Sequence, residues 1–226
     1  MAQSSESLTK KFPFLCKSMG VSLSLDEIRP YLSEEEYSRL FSIKSKSMAL
    51  QKAHAYYLIK KLIGGNPKDI SVRYSANGRP YINSKGVDIS ISHKEGAVYV
   101  GMAPSPYKIG VDIELINQLI DVNMLKNHFL NAEEASFLKE YSIRSKLSIP
   151  SAFIIFWSIK ESFFKCLGCS IKPKEICIRN ISDKGEVILS CSQGVNELMN
   201  TLSLEFVEIA CNKKYVYART LMERIL

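Results

Sequence analysis

The chain lacks long apolar runs. The longest, Ala152 to Trp157, is far shorter than a bilayer-spanning helix requires. Met1 to Gly20 carries Lys10, Lys11 and Lys17 and no uninterrupted apolar stretch of the kind a secretory leader needs. No membrane span or export signal is therefore expected, and the cytoplasm is the expected compartment. Six cysteines stand at irregular spacings, and the one C-x-x-C pair, Cys166 and Cys169, has neither a second pair nor a nearby histidine to complete a tetrahedral metal set. In a reducing compartment such cysteines read as small buried hydrophobes. The alternative for this pair is a labile disulfide beside Lys165. Also missing are basic stretches interleaved with aromatics, zinc-finger spacings and RNP-like motifs, so nucleic acid is not an expected partner.

What is present suits an ordinary globular protein. Of 226 residues 46% are hydrophobic, enough for a core in one large domain or two small ones. The formal net charge is +7, from lysines and arginines spread along the chain, which fits either a solvated basic face or an acidic partner.

The pattern of turns and periodicities predicts an α+β fold without a low-complexity linker. Ser33 with Glu36 forms a capping box ahead of Tyr37, Leu40 and Phe41, and a second helix is expected from about Ser47 to Ile63, ending at Gly64-Gly65-Asn66-Pro67. Strands are expected over 72–74, 87–91, 97–103 and 109–113, with turns at Asn77-Gly78 and Pro104-Ser105-Pro106. The second half loosely repeats this. A helix opens at Asn131 with Glu134 in capping-box position, another runs from about Pro150 to Leu167, and strands follow near 176–181, 186–191, 202–211 and 216–218. No residue-level repeat is visible between the halves.

Two segments carry chemistry. In Trp157-Ser158-Ile159-Lys160-Glu161-Ser162-Phe163-Phe164-Lys165, helical spacing puts Trp157, Glu161 and Lys165 on one face. In Gly110-Val111-Asp112-Ile113-Glu114, strand geometry sends Asp112 and Glu114 to one side and Val111 and Ile113 to the core. Two carboxylates about 7 Å apart on a strand face, joined by a third and a lysine, suit a hard divalent cation and a phosphorylated substrate. The plainer readings are a solvated edge strand for the pair and an i,i+4 ion pair for Glu161 and Lys165. Trp157 is expected to hold the carboxylate's rotamer, whether as core or as contact. Lys160 lies on another face, toward phosphate or solvent. His54 is expected on a helix surface, and His128 has no motif to place it.

These segments, with Asn77-Gly78-Arg79-Pro80-Tyr81, Ser90-Ile91-Ser92-His93 and Phe129-Leu130-Asn131-Ala132-Glu133, resemble in order and spacing the signature set of the surfactin-synthetase-activating type of 4′-phosphopantetheinyl transferase, over roughly residues 32–168. The resemblance implies two similar α/β subdomains related by pseudo-twofold symmetry, with the active site in the cleft between them. Residues 1–107 would recognise coenzyme A phosphates; residues 108–226 would bind metal, catalyse and dock the carrier. The implied enzyme is a holo-[acyl-carrier-protein] synthase: it moves the 4′-phosphopantetheine of coenzyme A onto a serine of an acidic apo acyl or peptidyl carrier protein, Mg²⁺-dependently (Mn²⁺ being the alternative), releasing 3′,5′-ADP. The carriers of such enzymes serve fatty-acid, polyketide or non-ribosomal peptide synthesis. A monomer is expected because the cleft forms within one chain.

By the same resemblance Asp112, Glu114 and Glu161 are metal ligands, Glu161 also helps deprotonate the serine, and Lys165 stabilises the departing phosphate. Coenzyme A contacts are implied for Gly78, Arg79 and Pro80, for Ser92 and His93, and for Asp112, Lys160 and Lys165. Farther upstream the match places Arg39 and Lys46 at the 3′-phosphate, while Glu36 and Gln51 fall where relatives carry basic residues. Carrier docking is expected between Ile116 and Pro150, at Met124, Lys126, Lys139 and Arg144. Two rival classes remain: another Mg²⁺-dependent phosphate-ester enzyme, which would hydrolyse its substrate, and a non-catalytic basic carrier-binding module.

Overall fold

Two stretches of the chain fold to the same plan in the computed structural model, which describes residues 14–83, 86–117, 120–169, 171–212 and 214–225. The first runs β1 (Leu15–Gly20), α1 (Leu25–Ile28), α2 (Glu34–Phe41), α3 (Lys46–Ile63), β2 (Val72–Tyr74), β3 (Pro80–Ile82), β4 (Val87–Lys94) and β5 (Ala97–Pro104). The second runs β6 (Tyr107–Leu115), α4 (Val122–Phe129), α5 (Ala132–Ser145), α6 (Ile149–Leu167), β7 (Ile176–Ile181), β8 (Val187–Cys191), α7 (Gln193–Leu198), β9 (Leu202–Cys211) and β10 (Tyr215–Arg224). Each stretch builds a three-stranded antiparallel sheet in the same order, β1-β5-β4 and β6-β10-β9, with a separate hairpin, β2-β3 or β7-β8. The fold is α+β with two similar halves, and the chain passes between them at the cis peptide bond Ser105–Pro106.

The helices form where sequence reading placed them because their ends carry local stop signals. Ser33 and Glu36 close a reciprocal capping box on α2, and Asn131 and Glu134 close one on α5. Ser148 accepts from the Ser151 amide to start α6, Pro150 sits in its first turn, and Gly168 ends it with φ 79°. Helix α6 is apolar nearly all round because it packs on β6 and β10 on one side and on α5 on the other, burying Phe153, Phe156, Ile159 and Phe163. Helix α3 does the same on β5 and β4, around Ile59, Tyr56 and Val98. A third apolar cluster lies between the two sheets, where Ile109, Val111 and Ile113 meet Tyr99 and Ala103.

Several elements differ from expectation. Strands β1 and β3 and helices α1 and α7 carry too little periodicity to be read from sequence. Strand β10 extends over 215–224 rather than 216–218, since it is the central strand, with β6 on one side and β9 on the other to satisfy its backbone through the polar Arg219 and Thr220. His54 is not on the surface. It is fully buried, with its Nε2 accepting from the Leu23 amide at 3.0 Å and its Nδ1 facing the Leu50 carbonyl at 2.8 Å.

A residue-level repeat is also present, in side-chain contacts rather than in sequence identity. Glu36 and Glu134, each third in its helix, are both fully buried. Glu36 receives Lys60 of α3 at 2.5 Å and the Val72 amide at 2.8 Å; Glu134 receives Lys160 of α6 at 2.7 Å and the Ile178 amide at 2.9 Å. Lys60 also donates to the Tyr31 carbonyl, and Lys160 to the Phe129 carbonyl. Even the aromatic neighbours correspond, Tyr31 against Tyr57 and Phe129 against Trp157, both with ring centroids 4.7 Å apart. Each clamp holds the start of a capped helix, a buried lysine of a long helix (in the last turn of α3, farther inside α6) and the first strand after it in one fixed arrangement. Glu36 is thus a structural carboxylate, and Gln51 is also buried, so neither presents itself to a bound phosphate.

Candidate active site

The two sheets meet edge to edge along β4 and β6, and side chains join them. Strand β6 pairs with β10 on one side, which leaves the amides of Ile109, Val111 and Ile113 pointing the other way. Asp88, Ser90 and Ser92, alternate residues of β4, accept from these amides at 2.8, 3.0 and 3.3 Å. The missing ladder is thereby replaced, and these three amides are each given a partner. The arrangement sets Ser92 beside Asp112.

Helix α6 closes the other side. Gly110 has no Cβ to spare: a Cβ there would stand 1.9 Å from the Ser162 carbonyl oxygen and 2.4 Å from the Cys166 nitrogen, so only glycine lets the strand lie against the helix backbone. This approach buries Asp112. Its Oδ1 accepts from Ser92 Oγ at 2.8 Å and from Lys165 Nζ at 2.7 Å, and its Oδ2 accepts from Ser158 Oγ at 2.8 Å. Lys165 also donates to Ser92 Oγ at 3.0 Å. Lys165 therefore pairs with Asp112 rather than with Glu161 four residues before it. Ser158 was not singled out by sequence reading, although its place one residue after Trp157 puts it on the helix face toward β6. Ser158→Ala is expected to cost about 1–3 kcal/mol, the penalty for a lost bond to a buried charge, measured by urea unfolding.

Glu161 is half-buried, and among the described residues no side chain hydrogen-bonds it. Burial pushes its carboxyl above the usual range; the Lys165 charge opposes this, and the charges of Asp112 and Glu114 add to it. Glu114 is raised too, first by burial, with Lys94 opposing and Asp112 adding. Lys94 Nζ stands 2.7 Å from Glu114 Oε2, but the angles miss those of a hydrogen bond, so that buried oxygen has a charge contact and no donor. His93 is held below its ordinary value by burial and then by the charges of Lys165 and Lys52, so its imidazole is neutral near pH 7.

Glu114 and Glu161, both raised by burial and by the charge of Asp112, form with Asp112 an oxygen donor set of the kind a hard divalent cation relieves. Among the described residues no three His, Cys, Asp or Glu side chains converge closely enough to hold a metal as they stand. Two lysines instead take the cationic places, Lys165 on Asp112 and Lys94 on Glu114. The donor set suits such a cation in its chemistry and not in the arrangement it has here.

A recess of about 470 Å³ opens beside this cluster, walled by Glu161 and Lys165, by Gly78 and Arg79, and by Ile171 and Pro173. Gly78 takes φ 79° in the turn that carries Arg79, and Asn77 Nδ2 ties the turn to the Gly168 carbonyl at 2.9 Å. Arg79 is partly committed: its Nη2 donates to Asp88 at 2.5 Å and to the Ile109 carbonyl at 3.1 Å. Ser92 and His93 lie at the same end of β4. Lys160, however, is fully buried in its clamp, which corrects the expectation that it faces phosphate or solvent. Arg39 donates to the Val72 carbonyl at 2.7 Å, and neither it nor exposed Lys46 lines the recess. Trp157 is half-buried and stacks on Phe129. Cys166 is buried, its thiol pushed up to about 12 by burial, and both members of the C-x-x-C pair are free thiols.

A larger recess, about 1130 Å³, lies elsewhere, between α4 and the starts of α5 and α6, with Leu138 and Ile149 in its wall and Lys126, Lys139 and Lys174 around it. It holds none of the carboxylate cluster, so the smaller recess is the candidate active site. Met124 is 67% exposed on α4, while Ile116 and Phe129 are buried. Arg144 turns away, donating to the Ile181 carbonyl at 2.6 Å.

Residues 108–216 match the model of the 4′-phosphopantetheinyl transferase superfamily. A curated relative, the 4′-phosphopantetheinyl transferase gsp of Aneurinibacillus migulanus, is 31% identical over 112 residues, 50% of this chain and 44% of its own length. The match thus spans under half of that relative. Among solved structures, a holo-(acyl-carrier-protein) synthase from Bacillus anthracis str. Ames in complex with CoA (3′,5′-ADP) is 22% identical, covers 52% of this chain and 96% of its own, and has a TM-score of 0.38. The Chronobacterium ammoniagenes ACPS–CoA complex is 18% identical, covers 53% and 98%, and has a TM-score of 0.41.

Proposed function

We propose, from a chain whose residues 108–216 match the model of the 4′-phosphopantetheinyl transferase superfamily, that this protein transfers the 4′-phosphopantetheine group of coenzyme A to a serine hydroxyl of an acidic apo acyl or peptidyl carrier protein and releases 3′,5′-ADP. The observation that carries this reading is the meeting of Asp112, Ser92 and Lys165 beside a half-buried Glu161, without a hydrogen-bond donor among the described residues, at the edge of a recess.

Glu161 takes the proton of the carrier serine as its oxygen attacks the β-phosphorus of coenzyme A; the phosphorus–oxygen bond to 3′,5′-ADP breaks, and the new bond joins serine to phosphopantetheine. A carboxylate with raised pKa and no protein donor is suited to accept that proton. Lys165 stabilises the negative charge left on the departing phosphate, and Arg79 and His93 orient the nucleotide end, His93 as a neutral hydrogen-bonding group. Asp112, Glu114 and Glu161 would hold Mg²⁺ or Mn²⁺, which when bound supplies neutralisation of the pyrophosphate charge. Ser92 and Ser158 keep Asp112 in place.

Residues 1–107 would serve coenzyme A recognition and residues 108–226 catalysis and docking, in a cytoplasmic monomer. The carrier's acidic helix would lie over the large recess, against Met124, Lys126 and Lys139. Because Arg144 is held by β7, it contributes to that surface mainly by charge. Reversing Lys126 and Lys139 to glutamate is expected to raise KM for the carrier and leave KM for coenzyme A unchanged; equal changes in both would remove the docking assignment.

The reaction itself is tested by following 3′,5′-ADP release from coenzyme A with and without an apo carrier. Release that requires the carrier supports transfer. Equal release without it would identify a hydrolase and overturn the reading.

A further inference from the structure

The two clamps match in ion pair, strand amide and first carbonyl acceptor, and differ in one hydrogen bond and in the Phe129 ring, whose centroid lies 5.1 Å from Lys160 Nζ. By register from the strand amides that the two glutamates receive, Val72 and Ile178, Pro67 in the first half corresponds to Pro173 in the second, each opening a short 3-10 turn. Lys160 donates to the Pro173 carbonyl at 2.8 Å. Lys60 makes no such bond to Pro67, and its hydrogen bonds are those to Glu36 and the Tyr31 carbonyl. All three protons of the Lys160 ammonium are therefore placed, on Glu134, Phe129 and Pro173.

The added bond lands on the active site. Pro173 and Ile171 wall the recess that Glu161 and Lys165 face, and Lys160 is the residue before Glu161 on α6. Phe129, whose carbonyl is the second acceptor, stacks on Trp157, one helical turn before Glu161. One buried ammonium thus connects the helix carrying both reactive side chains to the opposite wall of the recess and to the aromatic pair beneath it. In the first half the same clamp connects only elements of the core.

We infer that Lys160 and Glu134 are positioning residues for the proposed transfer, fixing the Ile171–Pro173 wall relative to Glu161 and Lys165, while their counterparts Lys60 and Glu36 serve folding alone. This rests on the transferase reading of the site, and neither residue touches substrate. The first half supplies an internal control with the same chemistry, the same burial and no recess.

The test compares two double variants of the full chain, K160M/E134Q and K60M/E36Q. Each removes a buried pair without leaving one charge behind, which keeps the comparison open where a single replacement would unfold the protein. Thermal midpoints are expected to fall by similar amounts. Steady-state kinetics with coenzyme A and apo carrier should show kcat/KM lowered about 10- to 100-fold in K160M/E134Q, the usual effect of removing a supporting contact, with KM for coenzyme A raised. In K60M/E36Q, KM should stay at the wild-type value. Amide exchange of residues 171–178 should accelerate in K160M/E134Q alone. Equal kinetic losses in the two doubles, or unchanged exchange in that segment, would overturn the inference. If the wild-type protein turned over no coenzyme A, the transferase reading would fail, and the exchange comparison would still decide whether the clamp holds the wall.

Discussion

Glu161→Gln is expected to lower turnover by about 10²–10⁴-fold, the range for loss of a general base, while raising thermal stability at neutral pH. The two effects have one cause. Glu161 sits half-buried beside Asp112 and Glu114 with no donor of its own, and burial and their charges hold its pKa above the ordinary carboxylate value. The folded state thus binds a proton there more tightly than the unfolded state. Stability contributed by the protonated form is present below the unfolded pKa and is lost as pH rises through the raised folded value. At pH 7 the ionised carboxylate is a net burden, and the neutral amide removes it. Glu114 is raised for the same reasons and adds to the same slope, so the wild-type melting temperature should fall as pH rises past the ordinary carboxylate range, less steeply in the Gln variant. Thermal melts in metal-free buffer from pH 4 to pH 8 provide the check. A Gln variant that is both inactive and less stable at pH 7 would point to structural damage instead of a lost base.

Gly110→Ala should destabilise the protein by about 3 kcal/mol or more, because the added methyl group meets the backbone of α6 itself. Its Cβ would fall 1.9 Å from the Ser162 carbonyl oxygen and 2.8 Å from Cys166 Cβ, atoms that move only if α6 moves as a body. Shifting α6 away from β6 separates Ser158 and Lys165 from Asp112, so any folded fraction should also lose activity. Urea unfolding paired with kinetics on the folded fraction separates the two losses. Normal stability in Gly110→Ala would mean that helix and strand are not packed this closely.

The sequence pattern picks out residues that the fold brings together, and misjudges the placement of others, for physical reasons. Asp112, Glu114, Glu161 and Lys165 stood out because period-two and period-3.6 spacing fix which side chains share a face. Helices α2, α3, α5 and α6 were legible for a related reason: their caps are local hydrogen bonds between residues three apart. Lys160 was misread because a lysine in a charged motif looks exposed, and only the partner brought in from α5 shows that it is buried. The repeat escaped notice since its chemistry, Glu36 to Lys60 and Glu134 to Lys160, is kept while the residues between change. Ser158 and Ser90 were overlooked because a serine's role depends on what faces it: Asp112 for one, the free amide of Val111 for the other. Strand β10 was truncated because its interior polar residues are satisfied by neighbours remote in sequence, such as Glu208, which pairs with Arg219 at 2.5 Å.

The most direct measurement is the intact mass of an apo acyl carrier protein after incubation with this protein, coenzyme A and Mg²⁺, alongside samples with EDTA and with Glu161→Gln. The account predicts that the carrier gains the mass of one phosphopantetheinyl group, lost when its acceptor serine is replaced by alanine and abolished or severely slowed in both control samples. An unmodified carrier, together with no measurable binding of coenzyme A to the wild-type protein, would contradict it.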